Sequence, residues 1–266
     1  MARFNYLKGN SAFHRMDPTM KLLWNFVMVG AIVLNFDVLY AGLWLLYVVL
    51  LAVLFAQIPL KQYLKSISFF VGMALFIAFW HSVYYPWGGT ELFAWGPIRT
   101  TREGLAEGFA AFFRVLVIVS LSIIYTLTTD PARMVASLIQ VARVPYRIGY
   151  TMFAALRFIP LYENEARIIT NAHSIRGVGE MGKSLRSRIK LTWSLIIPLL
   201  VSGIRRARIA AVAMDSRAFG AYDRRTDLHL AQVARSDVVF VLIHVAAAAI
   251  AFYYYLILGH GSQYIG

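Results

Sequence analysis

The sequence predicts an all-α, polytopic membrane protein with about five transmembrane helices and a cytoplasmic domain of long amphipathic helices. Three observations predict it. Hydrophobic residues make up 59% of the 266 residues and charged residues only 15%, which is not the balance of a soluble domain. Apolar runs recur at Val38–Ala56, Ile67–Tyr85, Phe109–Leu127 and Val238–Leu258, each close to the roughly 20 residues that cross a bilayer. Between the last two lies a basic block, Asp130–Ser236, with 17 of the chain's 26 Lys and Arg against 7 acidic residues. The predicted division is 1–129 for the first four spans, 130–236 for the cytoplasmic domain and 237–266 for the last span.

The segment Met1–Lys21 is polar and basic and lacks the apolar core of a signal peptide. Leu22–Leu34 is short for a span, but it abuts the second run through Asn35-Phe36-Asp37, so the two read as a tight hairpin. Local thinning or packing beside a neighbour absorbs such a mismatch. Trp80, Tyr84, Tyr85 and Trp87, and Tyr253, Tyr254 and Tyr255, fall where an aromatic headgroup belt belongs. With the N-terminus inside, the short inner segments 1–21 and 57–65 carry 4 and 2 basic residues; the outer segments 36–37, 86–108 and 259–266 carry 0, 2 and 0. Short loops set orientation, and they place the N-terminus inside and the C-terminus outside.

Within the basic block, Thr128-Thr129-Asp130-Pro131 is a helix start: a capping residue, then Pro at the first helical position. That helix should stop near Arg143, because Pro145 disfavours helix in the residue before it. A second should run from Tyr146 to Arg176 with Pro160 as a kink, closed by Gly177 and Gly179. A third, from about Ser184, places Leu185, Ile189, Trp193, Ile197 and Leu200 on one face and reaches about Ala218, with Gly220 as its stop. The apolar stretches Ile148–Tyr162 and Leu191–Gly203 are short for spans. They read as lying beneath the bundle, with a re-entrant hairpin as the alternative.

A net charge of +13 would suit nucleic acid in a soluble protein. Set beside apolar runs it is the pattern of loops facing anionic lipid, so the expected partner is the bilayer and not nucleic acid. With no Cys, disulfides, thiolate metal sites and Cys nucleophiles are excluded. The six His (14, 81, 173, 229, 244 and 260) form no pair at metal-ligand spacing. Glu163 and Glu165 lie on different faces of a helix, and Glu163 is placed to pair with Arg167. No catalytic, cofactor or metal set emerges, and the chain reads as a non-enzyme.

Gly177-Val178-Gly179-Glu180-Met181-Gly182-Lys183-Ser184 fits a phosphate-binding P-loop. Such a loop needs a buried strand before it within a parallel α/β sheet, and here the preceding residues are polar and helical. The match is a coincidence of spelling. Arg114 lies inside an apolar run, either a functional group at depth or a packing and snorkelling one. Arg157, in Leu156-Arg157-Phe158-Ile159-Pro160, either orders the helices of the block or meets lipid phosphates.

Two helix ends are spelled alike: Ser174-Ile175-Arg176-Gly177 and Ser216-Arg217-Ala218-Phe219-Gly220. One such end is ordinary capping, since Arg suits a helix C-terminus and Gly closes it. Two in one domain favour a repeated device. Small neighbours leave each guanidinium accessible, and its fork binds carboxylates in two-pronged fashion. A partner with two equivalent acidic grooves would suit the pair.

The chain resembles the transmembrane T component of an energy-coupling factor (ECF) transporter, the scaffold of a subclass of ABC importers. The resemblance runs from about residue 11 to 258. It is carried by His14-Arg15-Met16-Asp17-Pro18-Thr19-Met20-Lys21-Leu22-Leu23, Thr129-Asp130-Pro131, Val144-Pro145, Leu156-Arg157-Phe158-Ile159-Pro160 with Glu165, and the two Arg ends. Departures are Ile175 for a usual Ala, Ala218 for a common Gly, and Thr19-Met20 for Arg and a small residue. The resemblance implies that two coupling helices dock on two ABC ATPase subunits at the cytoplasmic face through Arg176 and Arg217. Ser174, Gly177, Ser216 and Ala218 would flank the contact. It implies structural or coupling roles for Asp17, Lys21, Arg157 and Glu165, with Arg114 a further candidate from its place in an apolar run, and a separate membrane-embedded S component for a vitamin, nickel or cobalt. It also implies that ATP and magnesium sit on the ATPases, with no cofactor on this chain, in a bacterial or archaeal cell membrane. Two rivals stay open: a conventional ABC permease lining its own substrate path, and a polytopic membrane enzyme.

Overall fold

A computed structural model describes residues 6–7, 9–34, 37–84, 90–95, 98–175, 185–222, 231 and 233–257, with side chains left aside at 91–99, 185–188, 190–191 and 255–257. Among these residues the chain is helical apart from one short hairpin, and it forms two compact units.

The larger unit holds the described residues up to Ser137 and those from Ala231 onward. Its helices are α1 (Ala12–Arg15), α2 (Pro18–Val33), α3 (Val38–Leu50), α4 (Leu60–Val83), α5 (Arg102–Thr128), the first part of α6 (Pro131–Gln140), and α9 (Arg235–Ile257). A π-helical stretch, Leu51–Phe55, prolongs α3. Val38–Phe55, Leu60–Val83, Arg102–Thr128 and Arg235–Tyr254 are long and apolar enough to cross a membrane; α2 is apolar but shorter, at 16 residues. The described residues thus give an all-α polytopic membrane protein, with the short first helix that the sequence predicts. Residues 35–36, at the predicted α2–α3 turn, and Tyr85 and Trp87 of the predicted aromatic belt lie outside the described residues.

Side-chain caps fix the starts of α2, α3 and α5. Asp17 Oδ1 accepts from the Thr19 and Met20 amides at 2.9 and 3.3 Å, with Pro18 opening α2. Asp37 does the same for Leu39 and Tyr40, and Thr101 Oγ1 accepts from Gly104 N at 3.0 Å. Each takes up amides that have no intrahelical acceptor. The Thr101 cap starts α5 at Arg102, ahead of the predicted Phe109; α4 begins at Leu60, ahead of the predicted Ile67, directly after Pro59 and without a side-chain cap. The antiparallel pair β1 (Glu91–Trp95) and β2 (Ile98–Thr101) leads into α5. Strands this short leave no readable alternation beside the apolar runs, and the sequence did not announce them.

The core of this unit is built on Trp24, Met28, Ile32, Ala41, Val48, Val117, Leu121 and Ile124, all essentially inaccessible. Between α4 and α5 the packing is close: an added Cβ on Gly108 would lie 2.6 Å from the Ala78 carbonyl oxygen and would also meet Ser82 Oγ. Small residues permit such helix approach in a membrane bundle. Several turns along the same two helices, the Tyr63 hydroxyl and Ser120 Oγ meet at 2.6 Å in the buried interface.

The smaller unit holds described residues 138–222. It takes the end of α6 and two long helices, α7 (Tyr146–Ile175) and α8 (Leu185–Asp215), with Pro160 and Pro198 inside them. α6 stops at Gln140, three residues before the predicted Arg143. Arg143 itself is left-handed, at φ 57°, and Val144 N closes the turn onto Leu138 O at 3.1 Å. Neither α7 nor α8 is among the helices apolar enough to span. Where the sequence placed an apolar face on α8, Ile189, Trp193, Ile197 and Leu200 are all more than half exposed. The face is real, and among the described residues it stays exposed.

Candidate functional site

Asp17 is more than a cap. Its Oδ1 also accepts from Ser137 Oγ of α6 at 2.7 Å, which leaves the Thr19 hydroxyl to donate to Ser137 Oγ at 2.6 Å. The Asp17 amide donates to Asp237 Oδ2, at the start of α9, at 3.0 Å. One turn further, Lys21 is 1% exposed. Its ammonium donates to the Thr128 carbonyl, Thr128 Oγ1 and Thr129 Oγ1, each at 3.1 Å. All three of its protons are used, as a buried ammonium demands, and Asp17 and Asp237 supply opposing charge. Arg133 of α6 donates to the His14 carbonyl at 3.1 Å. A buried polar knot thus ties α1, α2, the end of α5, the start of α6 and the start of α9 together.

His14 closes the same region. Its Nε2–H donates to the Leu7 carbonyl at 2.8 Å, and Nδ1 accepts from the Ser11 hydroxyl at 2.6 Å, the pattern of a neutral ring. Burial pushes its pKa below the ordinary 6.5, the Leu7 bond opposes that, and the Lys21 charge adds to it. The folded state therefore resists a proton that the unfolded chain accepts, so this contribution is full above pH 6.5 and is lost as pH falls toward the lowered value. Amide exchange at residues 11–16, corrected for intrinsic rates, should accelerate below pH 6.5. In His14→Gln that pH dependence should vanish; its persistence would assign the titration to another group.

At the far end of α8 lies Arg217. The helix ends at Asp215, and the predicted stop at Gly220 is corrected: the chain turns at Ala218, left-handed at φ 54°. Phe219 N bonds Met214 O at 3.0 Å and Ala218 N bonds Asp215 O at 3.0 Å, the double closure of a Schellman cap with Ala where Gly is usual. A left-handed Ala costs about 1–2 kcal/mol, so other contacts must hold it. Ser216, Arg217 and Ala218 are exposed, with Ser216 Oγ donating to Ala213 O. Of the matching end on α7, Ser174 and Ile175 are exposed. Arg176, Gly177 and the rest of the P-loop lookalike through Ser184 lie outside the described residues. The element before that lookalike is the helix α7 rather than a strand, which removes the context a P-loop requires.

Glu165 joins the two long helices through an ion pair with Arg206 of α8 at 2.6 Å. Arg167 donates to Asn164 on the same helix. About one turn away, the Tyr162 hydroxyl fills the space where Gly203 has no side chain. Arg157 is exposed on α7. Arg114 is half-buried on α5, where its charge interacts with Glu107 on the same helix, which in turn feels His81 of α4. The contacts of Asp237, Thr128, Ser137 and Arg206 escaped the sequence reading, which named Thr128 only in a helix start, because their partners lie 41 to 220 residues away.

The chain matches the family described as cobalt transport protein (CbiQ) over residues 9–228. It is 31% identical over 247 residues to the energy-coupling factor transporter transmembrane protein EcfT of Streptococcus equi, with 90% of each chain covered. It is 33% identical over 228 residues to the same-named protein of Lactococcus lactis, covering 83% of this chain and 85% of that one. For that of Lacticaseibacillus paracasei the figures are 32% over 244 residues, 87% and 90%. Helices that span, a family match across most of the length and relatives of one name agree, and the chain belongs to the family of energy-coupling factor transporter transmembrane components.

Proposed function

We propose that this chain is the non-enzymatic coupling subunit of an ECF-type ABC importer. It passes the ATP-driven movement of two ATPase subunits to a separate, membrane-embedded S component that binds a vitamin or a transition metal. ATP and magnesium belong to the ATPases. The N-terminus and the α7–α8 unit face the cytoplasm of a bacterial or archaeal cell, as the short basic loops favour. The observation that carries the reading is Arg217: an exposed guanidinium on a closed turn at the tip of a long helix, flanked by Ser216 and Ala218. Arg176, spelled the same way at the end of α7, is its counterpart. The Glu165–Arg206 pair and the Tyr162–Gly203 contact give the two helices cause to move as one body. The exposed apolar face of α8 offers cover for the S component.

Replacing both Arg176 and Arg217 with Ala should lower ATPase activity and uptake at least tenfold, since truncating one partner of a buried charge pair costs about 2–5 kcal/mol. Transport by the double variant at the parental rate, with the complex intact on purification, would remove the proposal.

A further inference from the structure

The turn that carries Arg217 is not held by α8 alone. Past Ala218 the chain lies against the first turn of α7. The Phe219 ring meets Tyr146 and Tyr150, with centroids 5.5 and 4.8 Å away. Arg147 donates to the Gly220 carbonyl at 3.0 Å, and the Tyr146 hydroxyl donates to the Tyr222 carbonyl at 2.8 Å. Gly220 is left-handed at φ 92°, which a side chain would oppose. Behind these residues Gly149 is buried flush against Ile139 of α6, so the first turn of α7 is itself supported. A helix end closed by a left-handed Ala would fray readily by itself. Here ring contacts and two long-range hydrogen bonds fix the five residues that follow Arg217, Ala218 to Tyr222.

We propose that Tyr146, Arg147, Tyr150 and Phe219 are positioning residues that hold residues 215–222 in one conformation, so that Arg217 reaches a carboxylate-bearing groove on an ATPase subunit already ordered. This rests on the docking role proposed above and adds its cause. Ordering a loop on binding weakens affinity, and a loop ordered beforehand is spared that loss.

The test uses the full chain in nanodiscs, alone and titrated with its ATPase subunits. In Tyr150→Ala and Phe219→Ala, the amides of 217–219 should exchange about tenfold faster and ATPase affinity should fall by a similar factor, about 1.4 kcal/mol. Tyr150→Phe keeps the ring and should behave like the parent. Exchange in α5 should stay unchanged in all of them. Arg147→Met changes an exposed side chain and should reproduce the loss in milder form. Arg217→Ala should lose affinity without faster exchange. Unchanged exchange in Tyr150→Ala and Arg147→Met would overturn the clamp. Faster exchange with full affinity, while Arg217→Ala binds weakly, would overturn the positioning role. Full affinity of Arg217→Ala would instead overturn the docking role, and this inference with it.

Discussion

Asp17→Ala should destabilise the chain by about 3–5 kcal/mol, the range for removing one partner of a buried charged set. The Met20 amide and the Ser137 hydroxyl lose their acceptor, and the Thr19 amide keeps only its longer bond to Ser137 Oγ at 3.3 Å. Lys21 keeps its three oxygen acceptors but loses one of the two carboxylates that balance its charge. Asp17→Asn separates these causes, because Asn caps a helix about as well as Asp. It should keep α2 capped while leaving Lys21 less compensated, and so fall between the parent and Asp17→Ala. Lys21→Met in the Asp17→Asn background should restore part of the loss. Denaturant unfolding in one fixed detergent measures all four chains. A loss below about 1 kcal/mol for Asp17→Ala, the size of an ordinary cap deletion, would show that the knot contributes no more than its cap.

Gly108→Val should be the second severe change. The obstacle is the Ala78 carbonyl oxygen, 2.6 Å from where a Cβ would sit, and it belongs to a helix backbone that no rotamer change can move. Ser82 could turn aside; Ala78 O cannot, so α4 and α5 would have to part. Overpacking of this kind costs about 1–3 kcal/mol, and the two extra methyl groups of Val push toward the upper end. Gly72→Ala on α4 is the matched control, because nothing lies within 4 Å of its Cβ position. Relieved of glycine's backbone entropy, it should gain about 0.5–1 kcal/mol. Thermal unfolding of both variants in the same detergent distinguishes them, and equal Tm values would refute close packing at Gly108.

What could be read in the sequence was local. Apolar runs located α3, α4, α5 and α9, and Thr128–Pro131 announced α6, because each signal lies within a single turn or window. The starts of α4 and α5 were missed because first turns of mixed polarity precede the apolar residues, opened by Pro59 before α4 and capped by Thr101 before α5. The end of α8 was misplaced because Gly is the usual left-handed cap, whereas Ala218 takes that conformation with help from residues more than 60 positions away. Asp17 and Lys21 were flagged by resemblance alone. Nothing in their neighbourhood reveals Ser137, Thr128 or Asp237, since the contacts exist only once the helices are packed.

The reach of the polar knot along the chain also sets a timetable for its birth. Asp17 leaves the ribosome 220 residues ahead of Asp237, whose carboxylate its amide meets. At the usual pace of about 5–20 residues per second, that is a wait of roughly 10–40 s. Until the final helix arrives, one carboxylate that offsets the Lys21 charge is missing. A chain halted before α9 is therefore chemically unfinished at its opposite end: the Asp17 amide lacks its carboxylate acceptor, and Lys21 lacks one of its two opposing charges.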